Sequence, residues 1–210
     1  MTAQPAEPAG YPRSTGSPRG EARRRELLDL VADDVAAHGL VDFSLRRAAR
    51  AAGTTHKVLL YHFVGAEDLL RQAVDRLRDR RTASGLLAAG AADGQEDGRS
   101  LSARVRAIWP VLMADDIGQL ALDQAIGLAM YDPERHRGLA QHATEQYLPS
   151  LMSLCPPAWS EARKHEVAEM ILATLRGFLV DWRTRGDRDG VDAGFEALAR
   201  ALDREEAADA

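Results

Sequence analysis

Apolar residues recur at spacings of three and four along most of this chain, which is the periodicity of a helix with one buried face. In the first third, the pattern predicts a helix over 21–38 that ends at Gly39, and another from about residue 66 to residue 81 and beyond. No segment of useful length alternates apolar and polar residues as a half-buried strand does. We therefore expect an all-α fold.

The second half of the chain continues the helical pattern. It predicts helices over 101–112, 117–130, 132–154 and 160–185, followed by a last helix across 191–202. The broadest apolar stripe lies within 160–185. Residues 88–100 contain small residues and no bulky apolar side chain, so we expect a loop there.

Residues 44–63 have the pattern of two short helices joined by a tight turn. Ser44 and Thr55 can each cap the start of a helix, and Gly53 stands where the first helix must end. The apolar residues of the second helix are expected to face inward, and its polar and aromatic residues outward. The inward set is Val58, Leu59 and Phe63, and the outward set is His56, Lys57, Tyr61 and His62.

Such a pair is either an ordinary helical hairpin or a helix-turn-helix that places its second helix in the major groove of DNA. Three features favour DNA binding. The first helix carries small residues that allow close approach, the outward set contains no acid, and three consecutive arginines at 23–25 lie just upstream.

The run from Arg23 to about Val74 resembles the N-terminal domain of TetR-type transcriptional repressors. The residues that carry the resemblance are Gly39, Ser44, Arg46, Ala49, Ala52, Gly53, Thr55, Leu59, His62, Phe63, Gly65, Glu67, Leu69 and Leu70. Two positions depart from the family pattern. Leu60 stands where the family has a tyrosine that contacts phosphate, although Tyr61 is adjacent, and Ala66 replaces a lysine with the same role.

The resemblance implies a helix-turn-helix DNA-binding domain over 21–66 and a helical ligand-binding and dimerisation domain over 67–210. It also implies a homodimer that binds a palindromic operator and is released by a small, mostly apolar molecule. The residues expected to contact DNA are Arg23, Arg24, Ser44, Arg46, Thr54, Thr55, His56, Lys57, Leu60, Tyr61 and His62. Because both departures remove phosphate contacts, a helical ligand-binding or interaction protein with weakened DNA affinity is the alternative.

The charge distribution fits a DNA-binding head. Residues 1–63 carry 9 Lys/Arg and 7 Asp/Glu, whereas the remaining residues carry 18 and 25. A mildly basic head on an acidic body suits local contact with DNA, although so small an excess could arise by chance. Residues 1–20 hold four prolines and three glycines and are expected to form a disordered tail.

Two functions are expected of the body. The stripe on 160–185, together with the last helix, could form a self-complementary dimer interface or simply the core of one protomer. The expected interface residues are Ile171, Leu175, Leu179, Trp182, Phe195, Leu198 and Leu202. The middle helices mix bulky apolar with isolated polar groups, as ligand pockets do, but plain core has the same appearance. The candidate pocket residues are Trp109, Met113, Gln124, His142, Gln146, Tyr147, Met170 and Phe178.

The sequence offers no pattern typical of an enzyme. Asp115 and Asp116 are adjacent, so a helix would point their side chains about 100° apart, and the six histidines are scattered rather than grouped for a metal. The lone Cys155 cannot form an internal disulfide, and no long uncharged apolar run suggests a membrane span. We predict a ligand-responsive regulator, in its simplest form a repressor, that acts in the cytoplasm at the nucleoid without cofactor or metal.

Overall fold

The computed structural model describes residues 17–92, 100–114, 117–140 and 142–208, and every regular element in these ranges is a helix. The helices are α1 (Pro18–His38), α2 (Leu45–Ala51), α3 (His56–His62), α4 (Ala66–Ala92), α5 (Leu101–Met113), α6 (Ile117–Tyr131), α7 (Pro133–Ala140), α8 (Ala143–Leu154), α9 (Glu161–Arg185) and α10 (Arg188–Ala208). The prediction of an all-α fold is confirmed.

Helices α1 to α4 pack their apolar faces together into one core, which we call the head core. Its most deeply buried members are Leu27, Val31, Leu59, Leu69 and Val74, none of which has exposed surface. Ala121 and Ala125 of α6 belong to the same core, because α6 lies directly against α1 and α4. The head is therefore packed against part of the C-terminal half rather than joined to it by a linker alone.

A second core, the body core, is built from α5, α8, α9 and α10. The long helix α4 takes part in both cores, since Leu77 lies in the head core and Ala89 in the body core. A rigid helix of 27 residues that spans both cores can carry a displacement from one to the other.

The apolar stripe of α9 is buried inside the protomer, which contradicts part of the predicted dimer interface. Helices α8 and α10 pack against α9, so both flanks of the wide stripe meet neighbours of the same chain. Six of the seven predicted interface residues have side chains that are at most 8% exposed: Ile171, Leu175, Leu179, Phe195, Leu198 and Leu202. The prediction is wrong for these six residues, because a covered side chain has no surface to offer a partner. Only Trp182 of the predicted set keeps partial exposure.

Some predicted boundaries differ from the structure. Helix α1 begins at Pro18, with the Ser17 hydroxyl accepting from the N–H of Gly20 at 3.1 Å, so the predicted disordered tail is wrong for residues 18–20. Residues 1–16 lie outside the described part. Helix α4 runs to Ala92, so the predicted loop at 88–100 is wrong for its first five residues. Residues 93–99 also lie outside the described part.

The helix predicted over 132–154 is two helices, α7 and α8. The Leu139 carbonyl, which an unbroken helix would pair with the N–H of Ala143, instead accepts from the Arg78 guanidinium. A buried arginine of α4 therefore satisfies the end of α7 and makes the break tolerable.

In the described ranges, no helix combines the length and apolar character needed to cross a membrane. Within the same ranges, no three His, Cys, Asp or Glu side chains are grouped so as to hold a metal ion.

Candidate DNA-binding surface and ligand pocket

The turn between α2 and α3 is fixed by local hydrogen bonds. Gly53 has φ 58°, and the N–H groups of Gly53 and Thr54 donate to the carbonyls of Arg50 and Ala49, closing the end of α2. The Ser44 and Thr55 hydroxyls accept from backbone N–H groups of the first turns of α2 and α3, as the sequence predicts. These caps set the angle at which α3 leaves the head.

Helix α3 is anchored by Leu59, which has no exposed surface, and by Phe63 just beyond its end, which is 3% exposed. Val58 was expected to face inward, but it is 36% exposed because it lies at the edge of the buried stripe. The outward side of the helix carries residues of the predicted DNA-contacting set. Its exposed members are His56, Lys57, Leu60 and Tyr61.

His62 is only partly exposed. Its Nδ1 is buried without a hydrogen-bond partner among the described residues, and its ring meets Tyr61 edge-on with centroids 5.0 Å apart. Burial, followed by the charges of Arg24 and Arg23, lowers the pKa of His62. The imidazole therefore favours its neutral form, so His62 offers less attraction for phosphate than a protonated histidine would.

The two arginines of α1 in the predicted set have partners within the head. Arg24 donates from Nε to the His62 carbonyl at 3.4 Å and from its terminal nitrogen to Gln72, and its guanidinium lies 4.9 Å from the Phe63 ring centroid. Arg23 is exposed and pairs with Glu26 at 2.7 Å. Arg24 thus ties α1 to the end of α3, whereas Arg23 is at the surface and free to exchange partners.

The neighbouring arginines of α2 have different environments. Arg47 donates to Asp34 at 2.7 Å and to the carbonyls of Gly39 and Val41, so it holds α2 against the end of α1. Arg46 and Arg50 are exposed. Arg50 was not among the predicted contacts, although its spacing of four from Arg46 places both on one helical face.

A pocket of about 930 Å³, including its open mouth, lies in the body between α4, α5, α6, α8 and α9. Its wall is mostly apolar and includes Ile108, Leu112, Leu122, Leu151 and Leu172. A mostly apolar lining with a few polar groups is typical of small-molecule sites. Leu175 and Leu179, which were predicted at a dimer interface, face this pocket instead.

Polar groups interrupt the apolar wall at one side. They are Arg78, Arg81, Gln119, Asp123, Tyr147 and Arg176. Burial raises the pKa of the Tyr147 phenol and of the Asp123 carboxyl, in both cases against the effect of nearby arginines. The sequence did contain a signal for two of them, because Arg78 and Arg81 continue the buried stripe of α4 at helical spacing from Val74 and Leu77.

Of the eight predicted pocket residues, Tyr147 alone lines this pocket. Trp109 is buried in the body core, where its indole N–H donates to Asp192 at 2.8 Å and its ring stacks on Phe195 at 4.4 Å. Phe178 meets the same indole edge-on. The large aromatic groups therefore fill the core between α5, α9 and α10 rather than the pocket.

The other predicted pocket residues also have different positions. Met113 is buried in the body core, and Met170 is exposed on α9. Gln146 accepts from Arg78 at 3.4 Å, and His142 pairs with Glu145 at the surface. The pocket prediction is therefore wrong for these four residues, because helical spacing did not reveal which neighbour each residue faces.

Gln124 connects the body to the head. It lies on α6, and its side-chain Oε1 accepts from the backbone N–H of Leu40 at 2.8 Å, just beyond the end of α1. Leu122, Asp123 and Ile126 of the same helix line the pocket. One face of α6 is thus part of the pocket wall while another face contacts the head.

Neither a protein-family model nor a curated protein sequence matches the chain, but solved structures share its architecture. A TetR-family transcriptional regulator from Cytophaga hutchinsonii gives a TM-score of 0.64 at 16% identity, over 89% of this chain and 96% of that one. The multidrug binding protein EbrR, in complex with imidazole, gives 0.65 at 21% identity, over 90% and 95%. A protein from Rhodococcus sp. assigned to the TetR family gives 0.63 at 19% identity, over 87% and 97%.

At these identities the likeness concerns the fold, and it extends along nearly the whole length of each compared chain. It agrees with the resemblance that residues 23–74 show in sequence. The chain has the fold of TetR-family transcriptional regulators, with an N-terminal helix-turn-helix domain followed by a C-terminal helical domain.

Proposed function

We propose that this protein is a transcriptional regulator that binds DNA through α3 and changes its DNA affinity when a small molecule enters the body pocket. The observation that carries the proposal is the exposed face of α2 and α3. It presents Arg46, Arg50, His56 and Lys57, and residues 44–63 contain no acidic residue. The shared fold supports the same reading.

In this proposal α3 enters the major groove, where Lys57 and Tyr61 are placed to contact base edges or phosphates. Arg46 and Arg50 of α2 are exposed and contact the DNA backbone in this proposal, together with the turn at Thr54 and Thr55. Leu60 is 47% exposed and can contact only apolar parts of DNA, such as a thymine methyl group. Arg24 supports the position of α3 through its contacts with His62 and Phe63.

A homodimer gives the specificity that one short helix lacks. Two recognition helices spaced by one turn of DNA, about 34–36 Å, read a palindrome. Because the predicted interface residues are mostly buried, we propose that the protomers meet through the outward face of α9. That face carries Met170, Ala173, Gly177 and Val180, which are exposed and follow helical spacing.

Coupling between pocket and DNA is proposed to run through α6 and α4. A ligand that displaces Leu122 or Asp123 moves α6, which bonds the head through Gln124 and Leu40. Coupling free energies in such systems are about 1–3 kcal/mol, which corresponds to roughly a 5- to 150-fold change in operator affinity. The regulator acts as a repressor in the simplest case and would function in the cytoplasm at the nucleoid.

The test is a gel-shift titration with DNA from upstream of the gene, at several salt concentrations. Specific binding should weaken steeply as salt increases, because phosphate contacts release counterions. Lys57→Ala should lower the salt slope by about one if Lys57 contacts a phosphate. Arg46→Ala should weaken binding to all sequences alike if Arg46 contacts the backbone, whereas a loss of about 1–3 kcal/mol at one operator position would make Arg46 a base contact. Arg185→Ala, an exposed arginine of α9, is the matched control and should change neither quantity.

The competing function is a ligand-binding protein whose head has lost useful DNA affinity. The apolar Leu60 on α3 and Ala66 at the start of α4 favour it, since neither offers a charge to phosphate. It predicts a weak, sequence-independent gel shift that Lys57→Ala and Arg185→Ala reduce to the same small extent. That result would contradict the regulator proposal.

A further inference from the structure

The charged groups around the body pocket are unevenly distributed. Three arginines, Arg78, Arg81 and Arg176, line it, whereas Asp123 is the single carboxylate among its lining residues. Placing a charged group in a mostly apolar pocket costs free energy unless the charge is paired. Each of these charged groups therefore needs a partner within the protein or on the ligand.

Two of the charges are matched by partners in the chain. Arg78 is 2.9 Å from Asp75 and also donates to the Leu139 carbonyl, so its charge is compensated behind the pocket wall. Asp123 accepts from Gln119 at 2.6 Å and lies 2.7 Å from the Nε of Arg183, although that N–H is not aligned on the oxygen. The charge of Asp123 is therefore paired with that of Arg183, which does not line the pocket.

Arg176 differs from these groups. Its Nη1 donates to the Thr144 hydroxyl at 3.1 Å, a neutral partner, and its guanidinium lies 5.8 Å from the Tyr147 ring centroid. Its Nη2 is buried and has no hydrogen-bond partner among the described residues. Arginine keeps its charge in proteins, so a buried and unused guanidinium N–H favours an anionic acceptor.

We propose that the body pocket binds an amphipathic organic anion, whose acidic head accepts from Arg176 while its apolar body lies against the leucines. The inference rests on the proposed function, because it names the class of effector that such a regulator would sense. Arg81, which donates to the Leu112 carbonyl at 2.8 Å, adds a second positive charge to the same wall. Leu151, Leu172 and Leu175 supply the apolar surface for the rest of the molecule.

Two dyes with the same ring skeleton test this without DNA. The probe 8-anilino-1-naphthalenesulfonate carries an anionic group, and N-phenyl-1-naphthylamine lacks it; the fluorescence of both rises in apolar sites. The wild-type protein should bind the sulfonate at one site per protomer, at least tenfold more tightly than the neutral amine. This preference is the fold-change expected of one charge-assisted hydrogen bond.

Variants of two arginines on α9 test whether Arg176 is the source of the preference for the sulfonate over the neutral amine. Arg176→Met should weaken sulfonate binding by about tenfold or more and leave binding of the neutral amine nearly unchanged. Arg185→Met, an exposed arginine of the same helix, should change neither. Arg176→Lys keeps the charge and should retain most of the preference, which supplies the comparison if the methionine variant folds poorly.

Three results would overturn the proposal. They are equal binding of both dyes by the wild type, an equal effect of Arg176→Met and Arg185→Met, or no binding of the sulfonate at all. A cationic dye that binds more tightly than the sulfonate would also reject it and would assign the ligand to Asp123. Because no arm contains DNA, a protein that passes this test but fails the gel shift would contradict only the regulator proposal.

Discussion

The contact between Gly39 and Gln124 allows a quantitative test of how the body supports the head. Gly39 has φ 72° and ψ −174°, a region that residues with a side chain rarely occupy. The adjacent Leu40 N–H donates to the Gln124 Oε1 at 2.8 Å. A Cβ at position 39 would lie 2.5 Å from that same oxygen. Gly39→Ala therefore strains the backbone and displaces the glutamine at once.

The two effects can be separated by a double-mutant cycle. The backbone strain of Gly39→Ala should cost about 1–3 kcal/mol, and the lost hydrogen bond about 1 kcal/mol more. Gln124→Ala alone removes the same bond and should cost about 1 kcal/mol. In the double variant the bond can be lost only once, so the total should fall short of the sum by about 1 kcal/mol.

Urea unfolding followed by far-ultraviolet circular dichroism measures each free energy of unfolding. All variants are compared at one protein concentration, because the proposed dimerisation would make stability depend on concentration. Gly39→Ala combined with the exposed Arg185→Ala is the control and should be additive. If the Gly39 and Gln124 effects also add to within about 0.5 kcal/mol, the hydrogen bond does not join head and body as the structure describes.

Three further predictions concern charge, assembly and the turn. Burial raises the pKa of Asp123 above its ordinary 3.8, so the wild type should gain stability relative to Asp123→Asn as pH falls from about 7 toward 4. Hydrogen bonds from Arg76 and Arg80 lower the pKa of Asp29, so the wild type should lose stability relative to Asp29→Asn in acid. If urea unfolding at several pH values gives the same trend for both variants, both assignments are wrong. Met170→Arg, on the outward face of α9, should shift the protein from dimer to monomer in sedimentation velocity. Leu87→Arg, which replaces an exposed apolar residue of α4, should not. A monomeric wild type would contradict the interface. Gly53 has a φ of 58°, and a Cβ at this position would meet no nearby atom, so Gly53→Ala should cost about 1–2 kcal/mol through backbone strain alone. Thermal or urea unfolding measures this cost, and an unchanged stability would show that the turn relaxes.

Much of the head could be predicted from the sequence because its signals are local. A glycine after a helix, a hydroxyl before one and an apolar residue every third or fourth position each act within a few residues. Gly39, Ser44, Gly53 and Thr55 accordingly have the capping and turn roles that the sequence indicates. The candidate surface on α3 follows from the same local rules, since burial of Leu59 turns Lys57 and Tyr61 outward.

The body pocket could be predicted only in outline because its position depends on packing between distant helices. Periodicity showed that Leu175 and Leu179 belong to a stripe, but it did not show whether the stripe faces a partner, a neighbour or a cavity. Trp109 and Phe178 were assigned to the pocket by residue type, yet they fill the body core. Arg176 was missed because an arginine within an apolar stripe looks like a surface residue until the neighbouring helices are in place.

The sequence by itself determined the all-α class, the tight turn before α3 and the basic character of the exposed face of α3, because these depend on neighbours within one or two turns. Only the tertiary structure decided which charged side chains pair with other groups inside the protein. Arg46 and Arg47 are identical neighbours, yet only Arg47 reaches Asp34 and the end of α1. The same holds for Gln124, whose link to Leu40 crosses 84 residues of chain. Contacts of that length are set by how whole helices pack, and no local pattern encodes them.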